Sequence, residues 1–178
     1  MAATLLIISG HGATITTTET DITGLTCKFK RADEDANDLV GKIARPASGS
    51  NFSWRKTMRL KATVSPAGDL SNLRFFSDAT AWGTGITHWA HTIPVGEYTQ
   101  ASAADETAKI DQGGGSAVTN STSFTSASPL VVNAGVVLTN PTTGYGTQDA
   151  VEQQVEVAST AAMGTTTART MTYRVDES

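Results

Sequence analysis

The stretch Trp54-Arg-Lys-Thr-Met-Arg-Leu-Lys-Ala-Thr-Val64 decides the fold class. Its even positions read Trp54, Lys56, Met58, Leu60, Ala62 and Val64, and its odd positions Arg55, Thr57, Arg59, Lys61 and Thr63. Alternation with period two puts one set on a buried face and the other in solvent or against a partner. A helix would scatter the same residues around its circumference. Lys56 alone interrupts the apolar set, near the strand's start, where its ammonium can snorkel outward. The reading is a half-buried strand with an exposed basic row, Arg55, Arg59 and Lys61.

Further alternation lies on either side. Val151, Val155 and Val157 share one face with Gln153 between them, and Glu152, Gln154 and Glu156 lie opposite. In 166–175, Met171, Tyr173 and Val175 alternate with Thr170, Thr172 and Arg174. The Gly164-containing connection suits a bulged hairpin spanning roughly 150–176. Pro66-Ala-Gly-Asp69 is a good turn, so 54–64 and 70–77 form a second expected hairpin. Shorter strands are expected at 5–9, 13–18, 25–30, 86–90 and 130–138, and a short helix capped by Ser102 at 102–110. Nine or ten strands with frequent turn signals make an all-β, antiparallel β-sandwich or jelly roll. The expected organisation is one domain over 1–178, with an extended N-terminal arm at 1–20 and a flexible polar loop at 111–128.

Composition agrees. Of 178 residues, 29 are Thr, 24 Ala, 16 Gly and 15 Ser, nearly half the chain. Thr is β-branched and favours strands, while Gly and Ser punctuate turns. Charged residues make up 17% of the chain, below the usual share of about 25%. A net charge of -4 provides no basic field for nucleic acid. The single cysteine, Cys27, excludes a disulfide scaffold and suits a reducing cytoplasm. The start has no basic segment or long apolar run, so no signal peptide or membrane span is expected.

Several patterns resemble chemical sites and fail on spacing. His88 and His91 stand three apart, which on a strand points them to opposite faces, so two partly exposed histidines are expected rather than a metal site. Ser53 and Lys56 match Ser-x-x-Lys, but that pair works from one face of a helix. Asp33, Asp35 and Asn37 alternate as in a calcium loop, yet Asp38 stands where Gly is needed and Ala44 where Glu is needed. A solvated acidic loop offset by Lys28, Lys30 and Arg31 is the expectation there. Gly113-Gly-Gly-Ser116 lacks the ending of a phosphate loop. Cys27 shares its side with Phe29, which reads as a buried thiol. No nucleophile, base and orienting group can be assembled, so no enzyme, catalytic residue, cofactor or metal is expected. Arg55, Arg59 and Lys61 remain as a candidate subunit contact meeting acidic neighbours such as Glu152 and Glu156.

Arg45-Pro-Ala-Ser-Gly-Ser-Asn-Phe-Ser-Trp-Arg-Lys56 runs into the alternating strand. It is followed by Pro66-Ala-Gly-Asp-Leu-Ser-Asn-Leu-Arg-Phe-Phe-Ser-Asp78 and Gly83-Thr-Gly85. Together these resemble structural proteins of tailed-bacteriophage virions, over roughly residues 40–100. The resemblance implies a β-sandwich present in many copies on a particle assembled in the host cytoplasm. It implies a capsid decoration (cement) protein or a tail or neck component, homo-oligomeric, whose partners are the major capsid protein or other virion proteins, not nucleic acid or membrane. A carbohydrate-binding module, with Trp82 or Trp89 stacking on sugar rings, is the expectation from a different class.

Overall fold

The computed structural model describes residues 3–110 and 115–178. Ten strands run through them: β1 (Thr4–His11), β2 (Thr18–Asp21), β3 (Ser50–Phe52), β4 (Lys56–Val64), β5 (Leu70–Ser77), β6 (Ile86–Ile93), β7 (Thr119–Asn120), β8 (Leu130–Leu138), β9 (Ala150–Ala158) and β10 (Met171–Glu177). All pairings are antiparallel. A seven-stranded sheet has the order β2-β1-β4-β9-β6-β7, with β3 also on β9, and a three-stranded sheet has the order β10-β5-β8. The all-β antiparallel sandwich expected from the sequence is the fold found. No helix among the described residues is long and apolar enough to cross a membrane.

The core lies between the sheets. Leu60, Ala62, Ala90 and Val151 from the large sheet meet Leu70, Leu73, Phe75, Leu130, Val132, Val137 and Leu138 from the small one. Leu60 and Ala62, Leu73 and Phe75, and Leu130 and Val132 alternate as a one-faced sheet requires, while register shifts between β5 and β8 accompany the departure at Leu70 and at the adjacent Val137 and Leu138. Met171, Tyr173 and Val175 close one flank. A smaller cluster on the other face of the large sheet joins Ile15, Ile93 and Ala150 to Val95 and Tyr98.

Neither expected hairpin exists. β4 belongs to the large sheet and β5 to the small one, so the Pro66–Asp69 turn carries the chain between layers. Likewise β9 and β10 lie in different sheets. β9 has β3 and β4 along one edge and β6 along the other, which leaves no edge for β10. β10 pairs with β5 instead.

The N-terminal arm is also corrected. β1 is an interior strand, paired with β2 through Ile8–His11 and with β4 through Thr4–Gly10. Its Leu5 and Ile7, opposite Ala62 and Leu60 of β4, pack against the core. Residues 13–17 are a threonine-rich turn rather than a strand, Thr18 opening β2, and 25–30 has no regular structure. The expected flexible loop at 111–128 is ordered where it is described. Thr119 and Asn120 pair with β6, and Ser121 is fully buried. Ser102 caps a short 3-10 helix, Ala103–Thr107, through a reciprocal capping box with Asp105.

Candidate functional site

Three polar assemblies surround the core, and the large sheet carries two of them. Because β9 is central and covered on both faces, its whole middle is buried: Glu152, Gln153 and Gln154 are all fully shut from solvent. On the outer face His91 Nε2 lies 3.0 Å from Glu152 Oε2. Arg55 reaches the same carboxylate at 3.9 Å and Asp105 at 3.2 Å. Gln154 ties down the covering segment. Its Nε2 donates to the carbonyls of Ser53 and Asp105, and its Oε1 accepts from Ile110 N–H.

The expected exposed basic row is therefore largely covered, with Lys61 its most exposed member. Arg59 is buried and lies 4.0 Å over the Tyr145 ring, Arg55 is nearly covered, and Lys61 pairs with Glu19 at 2.7 Å. Burial lowers the affinity of Arg59 for its proton, opposed by Tyr145 and Glu19. The 95–110 segment covers Arg55, and Tyr145 with Glu19 covers Arg59 and Lys61, which alternation alone could not reveal.

The second assembly lies at the end of β1 and β4 under the loop 22–41. Lys56 does not snorkel: it is 3% exposed, and its Nζ donates to Asp35 Oδ1 at 2.7 Å and to the Glu34 carbonyl at 2.5 Å. His11 Nε2 stands 2.6 Å from Asp35 Oδ2. Burial would raise the Asp35 carboxyl, but His11 and Lys56 outweigh it and hold the group well below the usual carboxylate range. Cys27 Sγ points to Asp35 Oδ1 at 3.5 Å, and burial, with that carboxylate, pushes the thiol up to about 11. The thiol is thus protonated and unreactive at neutral pH.

The acidic loop is solvated only in part: Glu34 and Asp38 are exposed, whereas Asp35 is covered. Lys30 is 2% exposed and is held by Glu34 at 2.7 Å and Asp38 at 2.9 Å. Asp33 accepts from Gly12 N–H and Gln100. An open cleft of about 270 Å³ runs along this edge, lined by His11, Thr18, Thr20, Asp33, Asp35 and Gln100 among others. Among the described residues no group of three His, Cys, Asp or Glu is arranged to hold a metal ion. The loop carboxylates face lysines and a histidine instead.

His88 and His91 do point to opposite faces of β6, but both are fully buried rather than partly exposed. His88 stacks on Trp82 at 4.7 Å and meets Phe29 edge-on at 4.8 Å, with no hydrogen bond to either ring nitrogen. Burial lowers its pKa to about 3. Ser53 is spent on structure too, its Oγ accepting from Val155 N–H at 3.0 Å, away from Lys56. Gly113 and Gly114 lie outside the described residues.

The third assembly is the outer face of the small sheet. Arg74 on β5 and Arg174 on β10 are directly opposed partners, and Val131 on β8 flanks Arg74 on its other side. Arg74 donates to the Leu73 and Asn133 carbonyls, and Arg174 lies 5.8 Å from the Phe76 ring. Neither arginine has a carboxylate within ion-pair distance among the described residues; Asp176 on β10 accepts from Asn72 instead. Val131 and Val136 are half exposed, and no described strand pairs the free edge of β10. Two facing arginines are ordinarily unfavourable in a sheet. Sequence reading could not find them, since both sit in otherwise ordinary alternation and their register depends on β10 leaving β9.

No protein-family model, curated protein or solved structure matches this chain. The geometry and the residues therefore carry the functional reading alone.

Proposed function

We propose that this chain is a non-enzymatic structural protein of a tailed-phage virion, and specifically a decoration protein that binds and stabilises the capsid surface. The observation that carries the reading is the outer face of the small sheet. It has half-exposed valines, and it presents Arg74 and Arg174 without carboxylate partners among the described residues. A surface that holds like charges together within the chain is relieved when an acidic partner supplies the missing carboxylates. On a particle, symmetry repeats the same modest contact many times, so avidity replaces a large single interface. The residues at 45–56, 66–78 and 83–85 that resemble virion proteins support the same reading.

The proposed contact differs from Arg55, Arg59 and Lys61, whose charges are occupied inside the chain. The sugar-binding alternative is weakened by its aromatic candidates. One face of Trp82 is taken by His88, and Trp89 carries Lys109 at 4.4 Å over its ring while its Nε1 donates to Glu156.

Binding of the purified chain to particles that lack it tests the proposal, together with imaging of virions with and without the gene. Density on the capsid exterior that disappears with the gene, and binding abolished by Arg74→Glu with Arg174→Glu, is the expected result. Density at the tail or neck would move the protein there. A folded chain that adds no density and binds no particle overturns the reading.

A further inference from the structure

We propose that Lys56 and Asp35 condense into an intramolecular isopeptide bond, linking β4 covalently to the loop above it. The pair is already assembled for it. Lys56 Nζ sits 2.7 Å from Asp35 Oδ1, and the side chains are only 2% and 4% exposed. A second hydrogen bond, to the Glu34 carbonyl at 2.5 Å, prevents the ammonium from swinging away. Asp35 Oδ2 has no aligned hydrogen bond, and it faces His11 Nε2 at 2.6 Å. An amine, a carboxyl and a proton carrier thus meet in one water-poor place.

The physical drive is the burial of charge. Both ions carry a desolvation penalty, which at Asp35 is outweighed only while Lys56 and His11 face the carboxylate. Condensation replaces both charges with one neutral amide and releases a water molecule. Holding the partners in contact also removes the entropic barrier that makes amide formation from free groups so slow.

The step balances without a co-reactant. One proton passes from Nζ to the carboxyl, giving a neutral amine beside a neutral acid. The Nζ lone pair attacks Asp35 Cγ and the C–N bond forms. The Cγ–Oδ2 bond then breaks as Oδ2 receives one proton from His11 and the one first taken up by the carboxyl, Oδ1 becoming the amide carbonyl oxygen, and a proton from Nζ restores His11. Water leaves with Oδ2, and nothing is oxidised or reduced. Residues 22–41 contain no helix or strand, so a covalent anchor at residue 35 would confine a loop that sheet hydrogen bonds do not hold.

The test is the intact mass of the purified, denatured full-length chain. The expected mass is lower than the sequence mass by one water, and trypsin should fail to cut after Lys56. A branched peptide joining the segments that contain residues 35 and 56 should appear. Lys56→Arg and Asp35→Ala should return to their full sequence masses, and His11→Ala should slow the loss of water without changing the product. Asp35→Asn, which keeps the shape of the site should the alanine variant fail to fold, should lose ammonia and give the same branched peptide. A wild-type chain that keeps its full mass after long incubation and is cut after Lys56 overturns the proposal. Loss of water without the branched peptide overturns it as well.

Discussion

His91 and Glu152 face each other across β6 and β9, Nε2 to Oε2 at 3.0 Å, with neither side chain reachable by solvent. Register makes the pair: the two residues are directly opposed in an antiparallel ladder. Arg55 comes to the carboxylate from the segment leading into β4. A carboxylate in such a place is tolerable only while its partners stay.

Glu152→Ala should therefore destabilise the chain by about 3–5 kcal/mol, because it leaves His91 and Arg55 facing an empty buried site. Glu152→Gln keeps the shape and one acceptor, and should cost less, about 1–2 kcal/mol. Urea unfolding followed by fluorescence measures both. Equal losses for the two variants would show that shape rather than charge governs the site.

His88 gives the fold an acid limb. It is held neutral by burial, with a pKa of about 3 against 6.5 when free. Below pH 6.5 the unfolded chain takes up a proton that the folded chain refuses, so the contribution is complete above pH 6.5 and declines as the pH falls toward 3. His88→Phe, which keeps the stack on Trp82 and removes two unbonded nitrogens, should flatten this decline. Midpoint denaturant concentrations for both chains between pH 7 and pH 4 provide the comparison. Parallel curves would mean that His88 does not titrate in that window.

Gly10 lies where β1 passes under the turn that carries Ile15. A Cβ there would stand 2.2 Å from the Ile15 carbonyl oxygen and 2.8 Å from its Cγ1. Backbone cannot give way as a flexible side chain does. Gly10→Ala should cost about 1–3 kcal/mol by overpacking, and thermal unfolding would read it as a lower midpoint. An unchanged midpoint would place the Ile15 turn farther from β1.

Arg174→Glu should separate stability from binding. Placing a carboxylate opposite Arg74 converts a like-charge pair into an opposite-charge one, worth about 0.2–1 kcal/mol in favour of the fold. The same substitution should weaken attachment to particles. A variant that is both more stable and a poorer binder is the expected outcome, measured by thermal unfolding and by co-sedimentation. Binding unchanged would exclude Arg174 from the contact.

Part of the geometry of the candidate residues was legible in the sequence. Period-two alternation at 86–93 was enough to send His88 and His91 to opposite faces, because strand geometry admits no other arrangement. Burial was not legible in the same way. Lys56 interrupts an apolar face, which is consistent with a snorkelling lysine and equally with a buried ion pair. The difference lies with Asp35, which arrives from a loop 21 residues away. His11 and Asp35 acquire meaning only when β1 is laid beside β4.

The amino-acid sequence by itself determined the long strands and the layer type. Alternation, threonine content and turn residues act locally, through side-chain direction and backbone preference, and they specify strands and a sandwich without knowledge of neighbours. Which strands pair, and hence which polar residues end up buried together, was decided only by the tertiary structure. Pairing is a competition for edges: β9 gives both of its edges to β3, β4 and β6, so β10 crosses to the small sheet and brings Arg174 opposite Arg74. In β4 the basic side is largely covered, and Lys56 on the apolar side becomes the anchor of a loop.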